Sequence, residues 1–155
     1  MLKYFNYDVV FQEIPNEVTL AVNFSLCPNK CKGCHSPWLW QDKGEIFDSQ
    51  SIDYLFDLYK DNFTCFGFMG GDNDPQSVNM LAKYIRINYP HIKTAWYSGK
   101  NEIPKEIDLK NFNYIKTGPY IQEYGSLKDK TTNQKLLKIN TDLSTEDITN
   151  MFWKK

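Results

Sequence analysis

Cys27-Pro28-Asn29-Lys30-Cys31-Lys32-Gly33-Cys34 gathers three of the chain's four cysteines into eight residues; Cys65 stands apart, thirty-one positions further on. Thiols clustered this closely point to metal or redox chemistry rather than to a disulfide framework. Zinc and iron–sulfur clusters are the groups they suit. A structural zinc site takes four ligands, usually as two pairs on separate knuckles, and here there is no second pair. His35 would have to bend back sharply beside Cys34 to close such a site. Cys65 lies in an expected strand, Thr64-Cys65-Phe66, where a buried thiol is the ordinary role. A four-iron cluster held by three thiolates leaves one iron open to a small molecule, as in a working metal site. Gly33 keeps side-chain bulk out of the tight loop, and Pro28 stiffens its first turn.

On the amino-terminal side, Tyr7 to Ile14 and Val18 to Ser25 read as strands around a Pro15-Asn16 turn. In the second, Val18, Leu20, Val22 and Phe24 alternate with Thr19, Ala21, Asn23 and Ser25, and the cysteine loop follows directly. Beyond the loop, a helix is expected from Ser49 or Ser51, burying Ile52, Leu55 and Leu58/Tyr59. Phe63 to Met69 reads as a strand that stops at Gly70-Gly71-Asp72. Pro75 opens a second helix to about Asn88, with Val78, Leu81, Ala82 and Ile85 on one face and Pro90 as its stop. Ile92 to Tyr97, Tyr114 to Lys116 and Leu136 to Ile139 are further strands, the first closed by Ser98-Gly99. Ser144 with Asp147 resembles a capping box for a last short helix carrying Ile148, Met151 and Phe152.

Strands alternating with helices predict an α/β fold with a parallel sheet and crossover helices, whose ligand sites collect beyond the carboxyl ends of the strands. The cysteine loop and Gly70-Gly71-Asp72 both fall at that edge. The 155 residues fit one domain spanning 1–155. Hydrophobic residues at 41% and aromatics at 15% exclude a disordered chain. With 18 Lys+Arg against 19 Asp+Glu there is no basic excess for nucleic acid. No apolar run approaches the ~20 residues a membrane span needs. Met1 to Asn6 lacks the apolar stretch of a secretory signal, so the cytoplasm is the expected address.

The spacing Cys27-x-x-x-Cys31-x-x-Cys34 after a first core strand resembles the signature of the radical S-adenosylmethionine enzymes. Phe68-Met69-Gly70-Gly71-Asp72 resembles that superfamily's glycine-glycine-acid motif for the methionyl amino group. The chemistry agrees, because glycines admit close backbone approach and a carboxylate suits an ammonium. Asp72 is one methylene shorter than the commoner Glu. Within the superfamily the chain is most similar to the activating proteins of anaerobic ribonucleoside-triphosphate reductases. Gly33-Cys34-His35-Ser36-Pro37-Trp38-Leu39-Trp40 carries that likeness, as do Tyr114-Ile115-Lys116-Thr117-Gly118-Pro119-Tyr120 and Thr132-Asn133-Gln134-Lys135. Ser36 replaces an Asn, Lys135 replaces an Arg, and Asn73 is an extra residue before Asp74-Pro75.

The resemblance implies a truncated parallel (β/α) partial barrel. It implies a [4Fe-4S] cluster on Cys27, Cys31 and Cys34, with bound S-adenosylmethionine beside Gly33, Cys34, His35, Gly70, Gly71 and Asp72. It implies an oxidoreductase that generates a glycyl radical on its protein substrate, the large catalytic subunit of the reductase. A reductant such as flavodoxin is the implied electron donor, with Lys30 and Lys32 suited to an acidic partner. No side chain beyond the cluster and cofactor is expected to act as a general acid or base. Tyr97-Ser98-Gly99 faces the same edge, as a core aromatic with a turn or as a cofactor contact. Trp38 and Trp40 would pack on the sheet or meet the partner, and His91 is expected to be exposed. Three alternatives stand beside this reading: an activase for a formate-lyase type enzyme, a zinc module closed by His35 or Cys65, and an electron-transfer protein using all four thiols.

Overall fold

The computed structural model describes residues 2–25, 44–60 and 62–153. Its eight strands are β1 (Leu2–Val10), β2 (Thr19–Phe24), β3 (Glu45–Phe47), β4 (Cys65–Met69), β5 (Lys93–Tyr97), β6 (Tyr114–Thr117), β7 (Lys135–Ile139) and β8 (Thr145–Asp147). They form one open sheet in the order β3-β1-β2-β4-β5-β6-β7-β8. β2, β4, β5 and β6 are mutually parallel. Antiparallel pairs flank them, with β1 and β3 on one side and β7 and β8 on the other. The sheet is therefore mixed, with a parallel centre.

Two helices, α1 (Ser49–Tyr59) and α2 (Pro75–Asn88), pack on one face of this centre. α1 starts at Asp48, whose carboxylate accepts from Ser51 N while Ser51 Oγ accepts from Asp48 N. Such a cap contributes about 1 kcal/mol. Ile52 and Leu55 are buried as expected, with Tyr59 packed against the core; Phe56 joins the buried face and Leu58 is exposed. α2 matches its expected span: Asp74 caps Ser77 N, Pro75 occupies the first turn, and Val78, Ala82 and Ile85 are buried. Tyr84 and Tyr89 from α2 and its end both donate to Asp53 of α1, at 2.6–2.8 Å, and tie the helices together.

Register explains the core. Val22, Phe68, Trp96 and Ile115 lie side by side across the four parallel strands, with Leu20 and Phe66 in the next row. All six face the helices in one buried cluster. Burying each contributes roughly 1.5–3 kcal/mol. On the opposite face Cys65, Ala95 and Tyr114 are covered by Ile14, Leu136 and Ile148, with Met151 and Phe152 packed against them.

Four elements differ from expectation. β1 begins at Leu2 and ends at Val10, because a register shift between Tyr4 and Asn6 hides its alternation. Ile14 is buried in irregular chain beyond it. β3 is an unforeseen three-residue edge strand, reached through Gly44, where a Cβ would run into the Tyr4 carbonyl oxygen. Thr145–Asp147 is a strand rather than a helix start. Ser144 turns back to Asp142, with N and Oγ donating at 3.0 and 2.5 Å, and Asp147 instead caps Thr149 ahead of a 3-10 turn over Thr149–Phe152. No helix among the described residues is long and apolar enough to cross a membrane.

Candidate functional site

Because β2, β4, β5 and β6 run the same way, their carboxyl ends form a single edge. Asn23, Met69, Tyr97 and Lys116 are in register across it, all on the face away from the helices. The segments that follow are Ser25, which leads toward the cysteine loop, Gly70-Gly71-Asp72, Ser98-Gly99 and Gly118-Pro119-Tyr120. Parallel pairing thus brings four separated stretches of sequence to one edge. Cys27, Cys31, Gly33, Cys34, His35, Trp38 and Trp40 lie outside the described residues, as do Lys30 and Lys32.

The glycine pair turns the chain sharply after β4. Gly70 and Gly71 have φ of +104° and +92°, a region that strains any L side chain. Gly70 N donates to Tyr97 O at 3.1 Å, and Gly70 O accepts from Trp96 Nε1 at 2.7 Å. A Cβ on Gly71 would lie 2.8 Å from Val78 Cγ2, so this residue also lets α2 approach the turn. Asp72 emerges at the end of β5, where its carboxylate accepts from Ser98 Oγ at 2.6 Å and from Gly99 N at 2.8 Å. The expected acid is therefore joined directly to the Ser98-Gly99 turn. A shallow cavity of about 810 Å³ opens beside it, lined by Asp72, Pro75, Lys100 and Ile103 among others.

A second, more enclosed cleft of about 500 Å³ lies on the helix-free side of the same edge. Tyr97, Lys116, Tyr120, Gln134, Leu127 and Phe152 line it, with Gln12, Glu13, Ser126 and Lys128 at its margins. Lys128 Nζ reaches Gln12 Oε1 at 2.7 Å. Lys116 is buried, donates to Ser98 O at 2.9 Å and Gly118 O at 3.1 Å, and lies 5.6 Å over the Tyr97 ring. The Tyr97 hydroxyl donates to Glu13 O. Burial, with Glu13 and Cys65 adding to it, holds that hydroxyl protonated well above its ordinary range, so Tyr97 offers a wall rather than a base. The two carboxyl-terminal motifs meet here. Asn133 Nδ2 donates to Pro119 O at 3.0 Å, and a Cβ on Gly118 would lie 3.2 Å from Gln134 Cα.

Cys65 is removed from this edge. It is in register with Thr19, at the first residue of β2, whereas the cysteine loop follows the last. Six residues of strand separate Thr19 from Ser25, about 20 Å at the usual rise. Cys65 is fully buried, and burial pushes its thiol well above the ordinary range. Among the described residues no group of three His, Cys, Asp or Glu side chains is placed to hold a metal ion. His91 is exposed. The roles of Ser98 as a partner of Asp72, and of Lys116, were not foreseen. The signal for Lys116 is an ionisable residue within the strand Tyr114-Ile115-Lys116-Thr117, where alternation turns it inward.

The described residues form a mixed sheet with a parallel centre and a glycine turn at its carboxyl edge, and the sequence carries three cysteines after β2. A family model described as "4Fe-4S single cluster domain" matches residues 17–140, and the chain belongs to that family. No curated protein and no solved structure matches the chain.

Proposed function

We propose that this protein is a radical S-adenosylmethionine activase that generates a glycyl radical on the large subunit of an anaerobic ribonucleoside-triphosphate reductase. What supports the reading is the convergence at one strand edge of the cysteine triad's entry point, the glycine-glycine-acid turn and the Gly-Pro-Tyr segment, within a chain of the 4Fe-4S single cluster family. In this reading the open sheet is the wall of a truncated (β/α) partial barrel.

The residues present fit such a pair of cofactors. Cys27, Cys31 and Cys34 would hold a [4Fe-4S] cluster and leave one iron open. Cys65, buried in a separate cluster at the far end of β4, is removed as a fourth ligand, which disfavours both a four-thiol electron carrier and a zinc site closed by Cys65. Asp72, half-buried beside the Ser98-Gly99 turn, carries the charge that an ammonium needs. When bound, cluster and S-adenosylmethionine together supply one-electron cleavage to methionine and a 5′-deoxyadenosyl radical, which takes a hydrogen atom from a glycine of the partner.

The chain's own work is binding and exclusion. Asp72 and the Gly70-Gly71 turn would receive the methionyl end, and the family resemblance assigns Gly33 and His35 as its neighbours. The cleft beside Tyr97, Tyr120 and Gln134 gives a glycine-bearing segment an apolar wall and amide partners. The electron comes from a reductant of the flavodoxin kind.

The deciding experiment is anaerobic reconstitution with iron and sulfide, followed by paramagnetic resonance with and without S-adenosylmethionine. The expected result is a reduced four-iron signal that changes on adding the cofactor, with 5′-deoxyadenosine formed. Added reductase subunit should then acquire a glycyl radical, and added formate lyase should not. A cluster blind to the cofactor would overturn the enzyme reading in favour of electron transfer.

A further inference from the structure

Ser98 sits at the centre of a closed set of hydrogen bonds behind Asp72. It is 1% exposed. Its hydroxyl donates to Asp72 Oδ1 at 2.6 Å and accepts from Lys100 N at 3.1 Å, so the rotor has a single orientation. Its backbone is held on both sides by one residue: Ser98 N donates to Lys116 O, and Ser98 O accepts from Lys116 Nζ, each at 2.9 Å. Lys116 also donates to Gly118 O, while Gly118 N donates to Lys100 O at 2.6 Å and closes the ring. The second oxygen of Asp72 accepts from Gly99 N.

We infer that Ser98 is a positioning residue that fixes the carboxylate of Asp72 for an ammonium-bearing ligand, and that Lys116 fixes Ser98. This rests on the functional reading of Asp72 above. An aspartate freed from Ser98 would turn about its side-chain bonds and lose rotamer freedom on each binding event, which weakens binding without touching the bond-breaking step. Lys116 acts one step further back: by holding the carbonyls of Ser98 and Gly118 together, it keeps the ends of β5 and β6 at one spacing.

The test compares wild type, Ser98→Ala and Lys116→Met in the reconstituted protein. One readout needs no turnover: hydrogen exchange of the segment 97–101, before S-adenosylmethionine is added. The loss of the Ser98 hydroxyl should speed exchange at Gly99 and Lys100 by about tenfold, as expected for one lost bond of this kind. Affinity for S-adenosylmethionine, followed by the change in the cluster's resonance signal, should fall by about tenfold. The saturated rate of 5′-deoxyadenosine formation should stay within about twofold of wild type. Lys116→Met should shift both readouts the same way, with unchanged iron content as the control for folding. Unchanged affinity in Ser98→Ala, with or without faster exchange, overturns the inference and leaves the activase reading standing. Wild-type protein that holds a cluster and binds no S-adenosylmethionine overturns the activase reading itself, and the ligand role of Asp72 with it.

Discussion

Cys65 pairs in register with Thr19, at the opposite end of the parallel strands from Asn23 and Met69. That relationship puts Cys65 at the opposite end of β2 from Ser25, the residue from which the sequence runs on toward Cys27. The expected outcome is that Cys65→Ala keeps the wild-type iron content after reconstitution, while Cys27→Ala, Cys31→Ala and Cys34→Ala each lose it. Removing the buried sulfur should cost on the order of 1 kcal/mol of stability, through lost packing and a weak thiol contact to Phe66 O. Iron and sulfide assays with a urea titration check both halves, and loss of the cluster in Cys65→Ala would refute the assignment.

The two edge glycines should respond unequally to alanine. Both have positive φ, so each substitution carries a backbone strain of about 1–2 kcal/mol. At Gly70 the added methyl would rest 3.5 Å from Phe24 O, an ordinary contact. At Gly71 it would lie 2.8 Å from Val78 Cγ2, in the packed face of α2. Gly71→Ala should therefore be the more destabilising by roughly another 1–3 kcal/mol, a difference that chemical denaturation resolves. Equal losses would mean that α2 shifts freely, which its burial against the core argues against.

How far these features were legible in the sequence depended on whether their causes were local. α2 was readable because its signals are adjacent ones: Pro75 at the start, Pro90 past the end, and a regular apolar face between. The convergence of Gly70-Gly71-Asp72 with Ser98-Gly99 was readable as a shared edge, since parallel strands send their carboxyl ends the same way. The antiparallel wings were not, because pairing direction at β1 and β7 is decided by partners distant in sequence. Ser144 misled because its hydroxyl has two possible local partners, and Asp142 wins over Asp147. The bond from Ser98 to Asp72 spans twenty-six residues and leaves no local trace.

At the other end of the strands, Glu17 should make stability depend on pH. It is 8% exposed and accepts from Thr64 Oγ1, Tyr114 Oη and Lys93 Nζ, each at 2.8 Å. Burial works against its ionised form, but these hydrogen bonds outweigh burial and hold the carboxyl below its usual range. A folded pKa below the unfolded one gives stability that is present above the unfolded value, about 4.3, and lost as pH falls through the lower folded value. Lys93 is half exposed, so solvent screening trims its share. Glu17→Gln should cost roughly 1–2 kcal/mol at pH 7 and progressively less below pH 4. Urea titrations at several pH values decide it; a gap that persists in acid would rule out the charge as its origin.

The cleft beside the edge makes the last prediction, because under the proposed function it would separate cofactor chemistry from transfer to the partner. Gln134 is buried in its wall, close against Gly118, while Asp72 lines the other cavity and not this one. If the cleft seats the glycine-bearing segment, removing the Gln134 amide weakens the partner's contact and leaves the methionyl end untouched. Gln134→Leu keeps the side chain's approximate bulk and removes its hydrogen-bonding capacity. It should leave S-adenosylmethionine affinity and the formation of 5′-deoxyadenosine without partner near wild type, and lower the glycyl-radical yield on the reductase subunit by about tenfold at limiting subunit. Raising the subunit concentration should recover much of that loss, since the defect is one of binding. A parallel fall in cofactor cleavage and radical yield would instead place Gln134 with the Asp72 edge and move the partner's seat elsewhere.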